Sequence, residues 1–409
     1  MDKVFLDIKH VLDKLYPIAS HYYLSSSMLK VVREYYARIS IDIEYFTLLS
    51  AIYDFQMPVS RLIRNFNTLV EYMDKRNMSI LDISNLNMVG LKRIHRFDPD
   101  GTIYRIILTI FNQMNLEKTA RNLHANGVEE IIRGLLSEIH LIFDEKISKN
   151  LGKNIVRRFK NFIPSPKSKS SFKRLCLFLR WIVRREYPDL GLWRFVDPSE
   201  LYIPLDIGIA RIISRMTGMG IRPSWSNVIK LTEIFKKLDP RDPTKYDFPL
   251  SRITILGICK SKYEESDCNI CPLRNHCRKR LTKKIYIEEE KTSEHDYLKR
   301  IFKDKNPWNA ECISEHAVNG RIDIICFKPS INNPTEIYLV EIKITANRDA
   351  LKQILYYKNL CAKRYPQTKI KTIAIATKNI DKNIKELSQY NEINIWMWNE
   401  NIQNFIKIT

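Results

Sequence analysis

The sequence predicts a multidomain protein in which a mostly helical part precedes an α/β part. Its 409 residues are enough for two or three domains, each with its own hydrophobic core. Apolar residues recur at helical spacing in the N-terminal part, whereas short alternating apolar runs separated by turns dominate the C-terminal part. A stretch with four closely spaced cysteines divides the two patterns.

The net charge narrows the class of partner. The chain has 67 Lys and Arg against 46 Asp and Glu, a formal net charge of +21. So many positive charges on one protein repel one another unless an anionic partner neutralises them, and nucleic acid is the usual partner. The sequence has no apolar run long enough to span a membrane, no basic amphipathic anchor, and no lipidation or secretory signal. We therefore expect no membrane partner and a cytoplasmic, nucleoid-associated protein.

Helical periodicity runs through the N-terminal part. The segment 42–53 is apolar on nearly all sides, which predicts a buried helix. Pro58 is placed to open the next one. Asp206 precedes another helical pattern after a proline-containing turn, where a plain N-cap is one interpretation. The other predicted helices share a clear apolar stripe and cover residues 4–15, 62–73, 101–113, 128–142 and 225–238.

The window 153–185 contains eleven Lys or Arg and no Asp or Glu. Within it, a proline-containing turn at 164–171 leads into a predicted helix over 172–185. Small residues and backbone N–H groups at a helix start favour a phosphate, and flanking cations add to the attraction. The alternative is a merely solvated face, although such faces usually mix charge signs. We predict that four cations of this window contact nucleic acid, namely Lys167, Lys169, Arg174 and Arg180.

The four cysteines follow a C-x8-C-x2-C-x5-C pattern, at Cys259, Cys268, Cys271 and Cys277. Four thiolates this close in sequence can converge on one centre, as a [4Fe–4S] cluster requires. A four-thiolate zinc site is the competing metal interpretation. Two disulfides without metal are the third, which a reducing compartment disfavours. The remaining cysteines stand singly and are predicted to be buried structural thiols: Cys176, Cys312, Cys326 and Cys361.

Carboxylates and a lysine stand at definite positions on the predicted C-terminal strands. Asp323 lies on a strand that follows an Asn-Gly turn signal. A second strand over 337–345 carries Glu341 and Lys343 on one face, because side chains alternate along a strand. If the two strands pair as a hairpin, Asp323 lies beside Glu341. The two carboxylates could then hold Mg²⁺ or Mn²⁺ for phosphodiester hydrolysis, with Lys343 stabilising the developing charge. An exposed cross-strand salt-bridge ladder is the alternative.

Predicted helices add further candidates to this region. Gln353 and Tyr357 share one face of a helix over 349–357. Glu294, on a helix over 293–302, is a candidate metal ligand or water-positioning residue, against the alternative of a helix-surface carboxylate. Further strands, separated by a helix, are predicted over 371–376 and 393–398.

Residues 1–282 resemble the helix-hairpin-helix DNA glycosylase superfamily that includes endonuclease III. The motif Pro-Leu-Asp206-Ile-Gly-Ile-Ala-Arg, the four-cysteine stretch and residues 253–257 carry this resemblance. An uncharacterised branch of the superfamily is more similar still. The motifs that carry this closer similarity are His95-Arg-Phe, Lys173-Arg-Leu-Cys-Leu-Phe-Leu-Arg-Trp and Asp242-Pro-Thr-Lys-Tyr-Asp.

The resemblance implies an all-α domain with an iron–sulfur loop and a catalytic Asp206. In bifunctional members a lysine attacks the sugar, and Lys173 is the best positional match. Such a lysine must lose its proton, which burial and cationic neighbours such as Arg174 and Arg180 promote. An aspartate stabilises the cationic sugar that develops as the base leaves, after the base has been flipped out of the duplex.

The ordered motifs Gly-Arg-Ile-Asp323, Val-Glu341-Ile-Lys343 and Gln353-x3-Tyr357 resemble the PD-(D/E)XK nuclease superfamily. They are most similar to its archaeal NucS/EndoMS-type and Holliday-junction-resolvase-like members. This resemblance covers residues 291–409, with 283–290 as a connector. It implies a mixed sheet flanked by helices, in which these five residues are catalytic and Asp323, Glu341 and Glu294 bind Mg²⁺ or Mn²⁺.

Together the resemblances imply a DNA repair enzyme. It would recognise a damaged, mismatched or modified base in duplex DNA and remove it by glycosylase activity, with or without AP lyase activity. It would then cut the backbone. One rival is an endonuclease whose N-terminal module only binds DNA, which the replacement of a glycine-rich hairpin by residues 164–171 favours. A non-catalytic scaffold and a defence nuclease are the others. Because nuclease domains of this kind often pair, a homodimer through this domain is a further expectation.

Overall fold

The computed structural model describes residues 2–85, 94–280, 293–317 and 321–409. Within them the chain forms two compact units, Met1–Ile255 and Leu256–Thr409. The first unit is helical and the second contains a mixed sheet, so the predicted multidomain order of a helical part and an α/β part is confirmed. The predicted connector 283–290 and the Asn319-Gly320 turn lie outside the described residues. No helix in the described part of the chain is long and apolar enough to cross a membrane.

The helices predicted from periodicity in the first unit all coincide with observed ones, and those over 128–142 and 225–238 match residue for residue. The α-helices of this unit are α1 (Asp2–Tyr23), α2 (Leu29–Arg38), α3 (Ile43–Tyr53), α4 (Val59–Asp74), α5 (Thr102–Phe111), α6 (Leu116–His124), α7 (Val128–Ile142), α8 (Lys153–Phe162), α9 (Lys173–Val183), α10 (Ile207–Thr217), α11 (Trp225–Leu238) and α12 (Asp247–Ile255).

Helix α3 lies at the centre of the helical core. Its residues are buried with the exception of Glu44, as a helix that is apolar on nearly all sides requires. It packs against α2 and α9. The rings of Phe46 and Tyr35 stack with their centroids 4.1 Å apart. The predicted buried helix is therefore confirmed.

Asp98 joins the loop before α5 to three helices. Its carboxylate is fully buried and accepts four hydrogen bonds. The hydroxyl of Tyr53 donates at 2.8 Å, the N–H groups of Ile103 and Tyr104 at 3.0 Å each, and Arg158 of α8 at 2.9 Å. A buried carboxylate with this many donors fixes the loop because any displacement leaves several polar groups unpaired.

The second unit is built on one mixed sheet. Within the described residues the strands lie in sequence order; β1 to β3 are antiparallel, β3 to β5 are parallel, and β6 is antiparallel to β5. The strands are β1 (Glu311–Ala317), β2 (Arg321–Lys328), β3 (Glu336–Ala346), β4 (Lys369–Ile380), β5 (Ile393–Asn399) and β6 (Asn404–Lys407), and the helices are α13 (Ser293–Asp304), α14 (Arg348–Arg364) and α15 (Ile384–Tyr390).

The strands predicted over 337–345, 371–376 and 393–398 are confirmed as β3, β4 and β5. Periodicity missed β1, whose residues are largely polar, and β6, which has four residues. On one face of the sheet α13 packs Leu298 and Phe302. The central strands contribute alternate residues to that core, namely Ile324, Cys326, Tyr338, Val340 and Ile342.

Two cysteines that stand singly in the sequence form a disulfide in the structure. The register of β1 and β2 sets Cys312 opposite Cys326, and their sulfur atoms form a disulfide. The prediction of free thiols is therefore wrong for this pair, because the sequence did not indicate that residues 311–317 form a strand beside β2. Cys176 and Cys361 are free and buried, as predicted.

We expect Asp98→Ala to lower the free energy of unfolding of the first unit by about 3–5 kcal/mol, because it leaves the Tyr53 hydroxyl and two backbone N–H groups without their acceptor and removes the buried partner of Arg158. Asp100→Ala is the matched control. Asp100 also binds Arg158, at 2.6 Å, but its side chain is 52% exposed, so its loss should cost about 1 kcal/mol or less. Urea denaturation followed by circular dichroism measures both. Equal losses would contradict the role given to Asp98.

Candidate functional sites

The candidate site of the second unit lies where the backbone pairing of β2 with β3 ends. The antiparallel register ends at Ile324 and Val340. The next residues along the two strands are Asp323 and Glu341, and the Ile342 N–H donates to Asp323 Oδ2 at 2.9 Å. The structure thus brings Asp323 and Glu341 to neighbouring strand positions, as the predicted hairpin requires.

Glu341 and Lys343 are almost completely buried. Their side chains are 2% and 7% exposed, and the Lys343 ammonium lies 3.5 Å from the Glu341 carboxylate. An exposed salt-bridge ladder is therefore excluded for these two residues. Buried charges carry a desolvation cost, and they occur at functional sites as well as in structural ion-pair networks.

Helix α14 contributes Gln353 and Tyr357, both buried. The Tyr357 hydroxyl donates to the Arg321 carbonyl at 2.9 Å, and the Gln353 amide nitrogen lies 3.5 Å from that hydroxyl. Burial raises the pKa of Tyr357 to about 12, and the charges of Glu341 and Asp323 act in the same direction. The phenol is therefore protonated at neutral pH and within electrostatic reach of both carboxylates.

On α13, His295 rather than Glu294 reaches this site. The His295 side chain is 3% exposed and its Nε2 lies 3.5 Å from Asp323 Oδ2. Its hydrogen bond to Asp323 raises the pKa of the imidazole. Glu294 instead pairs with Lys378 at 2.8 Å and is 47% exposed, so the helix-surface alternative describes it. Periodicity could have found His295, because it shares the buried face of α13 with Leu298 and Phe302.

The oxygen atoms at this site fit a hard divalent cation. The Ile342 N–H and the His295 imidazole both approach Oδ2 of the Asp323 carboxylate. With Glu341 this carboxylate offers the oxygens that Mg²⁺ and Mn²⁺ prefer. Across the described ranges of the chain, no three His, Cys, Asp or Glu side chains form a ready metal-binding group. Water or phosphate oxygens would have to complete the coordination shell.

The four-cysteine stretch lies in the second unit, not at the end of the first. Burial raises the pKa of the Cys271 thiol, and the charges of Cys259, Cys268 and Cys277 act in the same direction. Four neighbouring thiols are the donor set that an iron–sulfur cluster or a zinc ion uses. These residue types are therefore the right donors for either group, but in the described part of the chain no three of them are arranged as a ready metal-binding group.

The first unit brings Lys173 and Asp206 into one cluster of charges with Asp54. Lys173 begins α9, and its ammonium lies 3.0 Å from the carboxylate of Asp54 at the end of α3. Burial lowers the pKa of Lys173, but the charges of Asp54 and Asp206 outweigh it, and the pKa is raised overall. The lysine is thus held protonated, which is the reverse of the deprotonated state predicted for a nucleophile.

Asp206 caps α10, accepting the Ile209 N–H at 2.8 Å. The N-cap interpretation is confirmed for one carboxylate oxygen. Beyond the cap, the Asp206 charge acts on its neighbours. Burial raises the pKa of Asp247 to about 6; Arg180 opposes this and Asp206 adds to it. Asp206 therefore combines a capping role with membership of the charged cluster.

The predicted DNA-binding cations fall into two groups. Lys167 and Lys169 are exposed on the turn before α9. Arg180 is fully buried, paired with Asp247 and with Asp189 at 3.7 Å, so its predicted contact with DNA is wrong. Arg174 is half-buried and donates to the Ile52 and Asn161 carbonyls at 3.3 and 3.1 Å. Arg174 thereby links the C-terminal ends of α3 and α8.

An aromatic surface that the sequence patterns did not predict lies beside this cluster. His95 stacks on Phe55 with ring centroids 4.6 Å apart, and Phe97 lies over Phe55 at 5.9 Å. The guanidinium groups of Arg96 and Arg174 lie 4.6 Å above Phe97 and Phe55. Phe97 is 37% exposed. Such rings and cations can stack a nucleic-acid base.

The fold and these sites define a protein with a charged helical site in one unit and a carboxylate–lysine site on a mixed sheet in the other. Residues 29–256 match the family model described as "Protein of unknown function (DUF2400)". Because the match covers more than half of the chain, the protein belongs to this family. It ends at the boundary of the first unit and before Cys259. Neither a curated protein nor a solved structure matches the sequence.

We expect Asp54→Asn to lower the pKa of Lys173, because burial then acts with less opposition from negative charge. More of the amine is free at pH 8, so Lys173 should be acylated severalfold faster by a trace of acetic anhydride. Mass spectrometry of the peptides measures this, with exposed Lys167 as the internal control. An unchanged rate at Lys173 would show that Asp54 does not set its protonation.

Proposed function

We propose that the protein is a two-module DNA-processing enzyme. The second unit is a divalent-metal-dependent endonuclease of the PD-(D/E)XK type. The first is a helix-hairpin-helix, glycosylase-like module that recognises a damaged, mismatched or modified base and excises it. The observation that carries the proposal is the position of Asp323 beside Glu341, with buried Lys343 next along β3.

The site residues of the second unit would have different roles in phosphodiester hydrolysis. Asp323 and Glu341 would hold Mg²⁺ or Mn²⁺, with His295 as a neighbour of Asp323. A cation bound there would supply a lowered pKa for the attacking water and positive charge for the leaving oxyanion. Lys343 supplies a fixed positive charge to the phosphate as negative charge develops. Tyr357 and Gln353 hold the β2 backbone at Arg321, close to Asp323.

The remaining features support a DNA substrate. A net charge of +21 and the exposed Lys167 and Lys169 suit a phosphate backbone. The four cysteines would hold a [4Fe–4S] cluster, or zinc in its place, as a structural centre. We place the protein in the cytoplasm, associated with the nucleoid.

In the first unit, Asp206 would stabilise the positive charge that develops on the sugar as the base leaves. A second candidate function follows from Lys173. Asp54 and Asp206 hold this lysine protonated. A protonated amine can bind a phosphate but cannot act as a nucleophile. The alternative is therefore an endonuclease specific for a DNA structure or modification, whose first unit only binds DNA.

We expect Glu341→Gln and Lys343→Met each to reduce Mg²⁺-dependent cleavage of labelled duplex DNA by about 100-fold or more. Glu336→Gln is the matched control. Glu336 also lies on β3, but it pairs with half-exposed Lys371 at 3.3 Å and should leave cleavage unchanged. Wild-type protein that cuts none of the duplexes in Mg²⁺ or Mn²⁺ would refute the nuclease.

A second assay separates the two candidate functions. Duplexes with uracil, hypoxanthine, 8-oxoguanine, an abasic site or a mismatch are incubated in EDTA, and borohydride traps any lysine–sugar adduct. We expect base release that Asp206→Asn reduces by at least about 100-fold. The same substitution should leave Mg²⁺-dependent cleavage of an abasic duplex unchanged. No base release from any duplex, with Mg²⁺-dependent cleavage intact, would favour the binding-only first unit.

A further inference from the structure

Asp267 connects the four-cysteine stretch to α14. It precedes Cys268 in the chain, and its side chain is 11% exposed. Its Oδ2 accepts from Arg348 at 2.9 Å, and its Oδ1 lies 3.3 Å from the Lys352 ammonium. Arg348 and Lys352 are one turn apart at the start of α14, so one carboxylate holds the first turn of this helix.

Backbone groups of the stretch take part in the same contact. Arg348 also donates to the Leu256 carbonyl. The Asp267 N–H donates to the Ile258 carbonyl at 2.8 Å. The chain on both sides of Cys259 is thereby tied to α14. Exposed ion pairs contribute little, but this carboxylate is mostly buried and is shared by two cations.

The same helix carries two residues of the candidate nuclease site. Gln353 follows Lys352 directly, and Tyr357 binds the Arg321 carbonyl two residues before Asp323. Because a helix moves largely as a rigid rod over this length, a shift of its first turn displaces both side chains. Misplacement of about 1 Å can cost a hundredfold in rate.

We propose that Asp267 is a positioning residue that couples the four-cysteine stretch to the candidate nuclease site. The stretch contains only short 3-10 turns, Tyr263–Glu265, Cys268–Ile270 and Arg274–His276, so a group bound by the cysteines would help to set its shape. A metal centre bound by the cysteines would hold Asp267 in place, Asp267 holds the first turn of α14, and α14 sets Gln353 and Tyr357. The catalytic consequence rests on the proposed function, whereas the mechanical coupling does not.

Hydrogen exchange of the full-length protein, without DNA or added divalent cation, tests this coupling. In Asp267→Asn and in Cys268→Ser, amides of residues 348–357 should exchange about five- to tenfold faster than in the wild type. Amides of α9 should be unchanged. Asp267→Glu keeps the charge and should restore most of the protection. Unchanged exchange in α14 in either of the first two variants would overturn the proposal.

Asp349→Asn is the matched control. It removes a carboxylate 2.9 Å from the same Lys352, but Asp349 is 75% exposed. Exchange in α14 should rise less than about threefold, and a rise equal to that of Asp267→Asn would overturn the proposal. In Mg²⁺-dependent cleavage, Asp267→Asn should lower kcat with DNA affinity unchanged. A wild type that fails to cleave would refute the proposed nuclease, while the exchange pattern would still decide the coupling.

Discussion

The cost of removing charge from water is the constraint on which both units depend. In the first unit Arg180 and Arg184 are buried, and Asp189, Asp242 and Asp247 compensate them. Loss of one partner would leave an uncompensated buried charge, so these groups fix the relative positions of α9, the loop after it and the start of α12. The motifs that begin at Lys173 and Asp242 are therefore two sides of one network.

This constraint also explains what the sequence could not predict. Periodicity located helices and strands because it reports which face is buried. Charge counting could not distinguish exposed Lys167 from buried Arg180, since the partners of Arg180 lie far away in sequence. Likewise, Asp54 as the partner of Lys173 and Cys326 as the partner of Cys312 depend on helix packing and strand register. The neighbouring positions of Asp323 and Glu341 were predictable because a hairpin is local.

His295 and Glu294 show that neighbouring residues on a helix can have their side chains in different environments. Consecutive residues are about 100° apart around the axis, so only one of these two side chains can face the sheet. The apolar residues Leu298 and Phe302 define that face and select His295. A catalytic assignment on a helix therefore has to start from the buried stripe and not from the residue type expected at the site.

The extent of the family match separates what the family shares from what this chain adds. Residues 29–256 contain Asp54, Lys173 and Asp206 but neither the cysteine stretch nor the sheet. A property common to the family has to reside within residues 29–256, the part of the chain that contains the charged helical cluster. The carboxylate–lysine site belongs to a second unit that the match does not cover. If both sites act on DNA, linking them in one chain raises the effective concentration of the second activity wherever the first unit binds.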